Sequence, residues 1–227
     1  MNYKLADRWS VVALLEITKQ LNGDGRTRIA NPDVRLYRRA GEFGKSYSDP
    51  DGDGPGKAKE RKAFGILLGP SVQLPANYDS IVNENFMFGL SASARLTFDT
   101  TPYGLKGFGG FYDLAIAKQF HRYDTSVDGR SLVPVKIKQS AIFGYDLTKR
   151  WSLFFTAGVS TGWTYNGHVT SSYGTSQEVD FQISEALQVG LGHQIADNLL
   201  SLNGQDFNFA LYSTRASSIY ISLNVTL

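Results

Sequence analysis

The sequence predicts an all-β fold, a closed antiparallel transmembrane β-barrel of about ten strands, with roughly eight to twelve allowed by the pattern. Three observations carry this. Residues 218–227 read Ser-Ile-Tyr-Ile-Ser-Leu-Asn-Val-Thr-Leu, so Ile219, Ile221, Leu223, Val225 and Leu227 share one face and Tyr220, Ser222, Asn224 and Thr226 the other. Residues 151–165 repeat the pattern, with Leu153, Phe155, Ala157, Val159, Thr161, Trp163 and Tyr165 opposing Ser152, Phe154, Thr156, Gly158, Ser160, Gly162 and Thr164. Hydrophobic residues make up 42% of the chain, yet no apolar run approaches the ~18 residues of a membrane helix. Apolar content spread over alternate positions belongs to strands. A face of small polar residues opposite an apolar one fits a tightly filled lumen inside and lipid outside, because a soluble sandwich buries large apolar side chains on its inner face.

In chain order, alternation and turn residues predict strands at 8–20, 27–39, 60–73, 84–98, 107–121, 133–145, 151–165, 177–193, 200–213 and 217–227. No linker composition interrupts them, so residues 1–227 form one domain. The segment 21–60 competes as one long loop with the second and third strands. From 86 to 98, Phe86, Phe88, Leu90, Ala92, Ala94, Leu96 and Phe98 point outward, and Met87, Gly89, Ser91, Ser93, Arg95 and Thr97 inward. The segment Tyr3-Lys-Leu-Ala-Asp-Arg-Trp9-Ser10 recurs as Tyr145-Asp-Leu-Thr-Lys-Arg-Trp151-Ser152, with a degenerate copy at His193-Gln-Ile-Ala-Asp-Asn-Leu199. Tight polar turns of this kind predict the short, periplasmic side, and an even strand count brings both termini to it. Trp9, Trp151, Trp163 and Tyr165 are the expected interfacial aromatics.

Composition excludes several functions. A net charge of +2 with dispersed basic residues gives no nucleic-acid surface, and the absence of cysteine removes disulfides and thiolate metal sites. Asp49-Pro-Asp51-Gly-Asp53-Gly starts like a calcium loop, and Glu60 falls at its twelfth position counting from Asp49, but the Gly- and Pro-rich composition is that of a flexible turn. A solvated turn accounts for it, and no metal or cofactor is expected. His121, His168 and His193 lie at strand ends or in loops, and no Gly-x-Ser-x-Gly elbow is present, so no catalytic residue is expected. Met1 leads directly into Asn-Tyr-Lys-Leu without a signal-peptide pattern, and the strands favour a mature chain with an added start methionine.

Parity places Glu16, Arg95, Asp113, Lys136 and Lys138 on the lumen side, where mixed signs predict a salt-bridged charge network. On the outward side Glu185 falls among Phe181, Ile183, Leu187, Val189 and Leu191, near the middle of the expected 177–193 strand, and Gln139 is a milder exception. A carboxylate facing lipid is costly, so these two positions predict an oligomer or lipid interface, a β-bulge that turns Glu185 inward being the alternative.

Asn31-Pro-Asp-Val-Arg-Leu36, Gly69-Pro-Ser-Val-Gln-Leu-Pro75-Ala-Asn77-Tyr-Asp-Ser80, Gln119-Phe-His-Arg-Tyr123, and Leu211-Tyr212 before Ser217-Ser-Ile-Tyr220 together resemble the lipid-trapping porin-like outer-membrane proteins of predatory bacteria and their relatives. The resemblance runs over most of the chain after residue 30, in short motifs. It implies a non-enzymatic outer-membrane barrel that assembles into a homo-oligomeric ring enclosing membrane lipids. A narrow porin or channel for ions or small solutes is the alternative, with selectivity set by Lys136 and Lys138. A third reading, a surface adhesion or receptor barrel, uses loops near 41–59 and 166–176. The chain departs from outer-membrane barrels in ending on Leu227 instead of an aromatic residue.

Overall fold

The computed structural model describes residues 2–6, 9–14, 17–19, 27–49, 59–184, 187–199, 208, 210–213 and 216–225. Its strands are β1 (Asn2–Ala6), β2 (Trp9–Leu14), β3 (Ile17–Lys19), β4 (Thr27–Ile29), β5 (Asp33–Asp49), β6 (Lys59–Gln73), β7 (Phe86–Asp99), β8 (Phe108–His121), β9 (Val135–Asp146), β10 (Trp151–Trp163), β11 (Val169–Ser184), β12 (Leu187–Asn198) and β13 (Ser217–Val225). Apart from the small β3–β4 hairpin, they form one 11-stranded sheet in the order β1-β2-β5-β6-β7-β8-β9-β10-β11-β12-β13. Each pair is antiparallel, and every strand between β1 and β13 in the order is bonded to a neighbour on both sides.

The sheet is two-faced and curled. Rungs such as Leu96↔Tyr112, Ala141↔Ala157, Val159↔Tyr173 and Leu191↔Ile221 put apolar side chains on one face. Ile219, Ile221 and Leu223 are exposed there, so this face needs an apolar surrounding. The other face is concave. Arg95 on β7 lies 5.1 Å over the ring of Tyr37, two strands away on β5, and the charges of Asp33 and Arg35 on β5 act on Lys138, four strands away on β9. Among the described residues the buried large hydrophobic side chains are few, chiefly Tyr37, Phe86, Leu132, Tyr173 and Ile195, so the interior is not an oily core.

Aromatic belts bound the outer face. Phe98, Phe108 and Phe143 cluster at one end with centroids 5.8–6.3 Å apart, and Trp151 packs 4.7 Å from Phe181. Phe88 stacks 4.5 Å from Phe120 toward the other end, beside exposed Trp163 and Tyr165. β10 joins the two belts. At ~3.3 Å per residue and a tilt near 45°, its 13 residues rise about 28 Å, close to the ~25 Å apolar band of a membrane barrel.

The connections differ between ends. The Trp151 end has the short links 7–8, 147–150 and 185–186, whereas the Trp163 end has 74–85, 122–134 and 199–216. Loops at the latter end bind one another into a collar. Asn31 Oδ1 accepts from the Ala76 and Asn77 amides at 3.0 and 2.8 Å, the Val127 and Arg122 amides donate to Asn83 and Asn85 carbonyls at 2.9 Å each, and the Tyr165 amide donates to the Leu132 carbonyl at 3.0 Å. Asn85 holds a left-handed φ of 51°, which asparagine tolerates better than most side chains.

Several expectations change. β1 adds a strand before the expected first one, and in an odd ladder β1 and β13 run the same way, so the two termini lie at opposite ends. The expected strand 177–193 is two strands, β11 and β12, reversing between Ser184 and Leu187, so the mid-strand setting assigned to Glu185 falls away; Glu185 itself lies outside the described residues. The His193–Leu199 copy of the turn repeat is strand β12 and its far end, opposite the Asp146–Ser152 hairpin. Of the expected strand 200–213, residues 208 and 210–213 are not in the ladder. They lie on the outer face: the Tyr173 hydroxyl donates to the Ala210 carbonyl and accepts from its amide at 3.2 and 2.9 Å, and Tyr212 stacks on His193. A register shift between Phe86 and Phe88 turns Phe86 inward, where it is buried, and leaves Met87 exposed. Of the loops expected at 41–59 and 166–176, residues 41–49 belong to β5 and 169–176 to β11, while 50–58 lie outside the described residues.

The two-faced sheet predicts asymmetric tolerance of charge. Ala157→Arg, on the outer face at mid-strand, is expected to destabilise the barrel by roughly 2–4 kcal/mol. Ser160→Arg, on the inner face of the same strand, is expected to cost much less, as read by denaturant unfolding from phospholipid vesicles.

Candidate functional site

The inner face is built by parity. On β9, Lys136 and Lys138 share the side of Ser140, and the rungs Lys136↔Gly162 and Lys138↔Ser160 keep small residues beside them on β10. Lys138 is exposed although it points into the concave interior, as is Ser172, one rung beyond Ser160 on β11. The interior wall is therefore open at this level, toward the Trp163 end. Among the described residues neither lysine has an ion-pair partner.

Other charges of the inner face are paired. Arg95 on β7 and Asp113 on β8 form a two-pronged bridge, Nε to Oδ1 at 2.7 Å and Nη2 to Oδ2 at 2.6 Å, between directly opposed rungs. The guanidinium also lies 3.8 Å over Phe111, which adds a cation–π contact to the ion pair. On β5, Arg35 holds Asp33 through Nε at 2.9 Å and Nη2 at 2.7 Å. Ser71 and Ser91 link β6 to β7 at 2.6 Å on the same inner surface.

The structure brings Arg95 and Asp113 together, and sets Lys136 and Lys138 apart from them, neither with an ion-pair partner among the described residues. Glu16 lies outside the described residues. Gln139 is on the outer face and is satisfied within the chain, accepting from the Tyr112 hydroxyl at 3.1 Å, beside a shallow notch floored by Ala141 and Ala157. Trp9, Trp151, Trp163 and Tyr165 are all partly exposed; Arg38 stacks over Trp9 at 5.7 Å, and Tyr165 meets His121 edge-on at 5.9 Å.

Sequence reasoning missed Arg35 and Asp33, and it missed a carboxylate pair, Glu178 and Asp180, on the inner face of β11. The signal for the pair was present: Glu178-Val-Asp180-Phe-Gln182 alternates, and Gly190-x-Gly192 supplies the matching small residues across the rung.

No family model and no curated protein matches this chain. Among solved structures it is similar to the NanC porin in a rhombohedral crystal form, with 10% identity, a TM-score of 0.51, and coverage of 100% of this chain and 97% of that one. The chain has a porin-like β-barrel fold. At that identity the likeness speaks for architecture across the whole chain, and the lipid-trapping family suggested by the short motifs gains no support from it.

Truncating one member of the deep pair leaves the other charge without its partner. Asp113→Ala is expected to destabilise the barrel by roughly 2 kcal/mol, and the double variant Arg95→Met/Asp113→Ala to recover part of that loss, as measured by a double-mutant cycle in urea.

Proposed function

We propose that this chain is a non-enzymatic, narrow diffusion channel of the bacterial outer membrane whose interior favours small anionic solutes. The observation that carries this reading is the pair of inner-wall ammonium groups, Lys136 and Lys138, with Lys138 exposed to the interior and neither ion-paired among the described residues. A free cation in a confined passage raises the local concentration of anions and lowers that of cations, because the low-dielectric wall focuses its field. The paired charges, Arg95 with Asp113 and, on the level of the lysines, Arg35 with Asp33, hold the wall in shape while adding little net charge. The whole-chain likeness to a porin supports the reading at the level of architecture.

The homo-oligomeric ring enclosing lipid has no comparable support. Gln139, one of its two expected interface residues, already has a hydrogen bond inside the chain, and Glu185 lies outside the described residues. Lipid remains the expected surrounding of the apolar outer face, as for any barrel of this kind.

The test is conductance in planar bilayers under a salt gradient. The chain is expected to give discrete channels whose reversal potential shows anion preference, and Lys136→Gln/Lys138→Gln is expected to move that potential toward cations. An absence of conductance, or a reversal potential unchanged in the double variant, would overturn the reading.

A further inference from the structure

The carboxylates of Glu178 and Asp180 stand two residues apart on the inner face of β11, and their rungs on β12 are Gly192 and Gly190. Neither glycine has a side chain to fill the space between β11 and β13. Across that gap β13 presents Tyr220, opposite Gly192, and Ser222, opposite Gly190. The result is a cradle with a glycine floor, carboxylates on one wall and hydroxyls on the other.

Its oxygens crowd together. A methyl group placed on Gly190 would collide at once with Glu178 Oε1, Asp180 Oδ1 and Ser222 Oγ, so three oxygens from two strands converge above one Cα. The Ser222 hydroxyl donates to Glu178 Oε1, and the Tyr220 hydroxyl donates to Glu178 Oε2 at 2.7 Å, fixing that carboxylate in place. Asp180 is 4% exposed, and its Oδ1, aimed into the same space, has no hydrogen-bond partner. A buried carboxylate oxygen facing a second carboxylate is relieved by a positive charge between them, either a shared proton or a bound cation. Among the described residues neither carboxylate is ion-paired, and the inner-wall lysines are remote: Lys138 is level with Ser172, six residues or about 20 Å along β11 from Glu178.

We propose that Glu178, Asp180 and Ser222, converging above Gly190, form a lumenal binding site for a hard divalent cation of the Ca²⁺ class. The donor set is all oxygen, which suits a hard ion and excludes a soft one. Two carboxylates match a double charge, the Ser222 hydroxyl supplies a neutral ligand, and the open side of the cradle faces the lumen, from which water completes the coordination of Ca²⁺. Tyr220 is a positioning residue that holds Glu178 against the floor. Gly190 and Gly192 are required because a side chain at either would occupy the space of the site or of the Tyr220 ring.

The experiment uses the full chain refolded in detergent, with Tb³⁺ as the Ca²⁺ probe, excited through tyrosine. Tyr220 beside the site makes it self-reporting. The expected result is saturable Tb³⁺ luminescence at one ion per chain, displaced by Ca²⁺. Affinity is expected to fall at least tenfold in Asp180→Asn and in Ser222→Ala, and to hold in Asp128→Asn, whose carboxylate sits in the 122–134 loop. Circular dichroism and heat-dependent gel mobility report folding, and Ser222→Ala, the smaller change, carries the test if Asp180→Asn does not refold. Luminescence that does not saturate, or saturation equally tight in the folded Asp180→Asn and Ser222→Ala variants, would overturn the proposal. Binding is read at equilibrium without current, so its failure is distinct from failure of the channel reading.

Discussion

The backbone hydrogen-bond ladder is the constraint from which the other features follow. A strand surrounded by hydrocarbon has no water to satisfy its amide and carbonyl groups, so each strand must be bonded on both sides, and the sheet must curl toward closure instead of ending in open edges. In this chain the ladder runs from β1 to β13 in chain order, with only the β3–β4 hairpin set apart between β2 and β5. Once the ladder is in place, the period of two leaves every side chain only two environments. The apolar series goes to the convex face and the small, polar series to the concave one.

That division makes the interior the seat of function. Inner positions are mostly serine, threonine and glycine, which leave room, and the charged residues among them fall into three groups. Arg95 with Asp113, and Arg35 with Asp33, are closed pairs that brace adjacent strands or a single strand. Lys136 and Lys138, without an ion-pair partner among the described residues, lie toward the Trp163 end. Glu178 and Asp180 are open anions further along the wall, over a glycine floor. The inner face is thus polar, and among the described residues the lysines without an ion-pair partner, Lys136 and Lys138, and the carboxylates of Glu178 and Asp180 are separated along the strands.

Much of the fold is legible in the sequence because parity is legible. The alternation at 151–165 gives β10 almost to the residue, and the inward setting of Arg95, Asp113, Lys136 and Lys138 follows from it. The failures occur where a local feature overrides parity without a turn residue to announce it. The reversal after Ser184 has no Gly, Pro or Asn in Ser184-Glu-Ala-Leu187, so two strands read as one, and Glu185 looks like a charge stranded in lipid. The shift at Phe86–Phe88 flips one aromatic residue inward with no compositional sign. Residues 200–213 alternate well enough to suggest a strand, yet Ala210 is bonded to Tyr173 and Tyr212 stacks on His193 at the outer face. The Glu178–Asp180 cradle escapes a linear reading because its glycine floor and hydroxyl wall come from two other strands.

The central claim is that alternate residues of one strand face lipid and an aqueous interior. The chain contains no cysteine, so single cysteines can be placed from 152 to 162 on β10 and spin-labelled in liposomes without background. The account predicts that oxygen accessibility peaks at odd positions and accessibility to a water-soluble nickel chelate peaks at even ones, with a strict period of two across the strand. A profile without that alternation, or one with lipid exposure at the even positions, would contradict it.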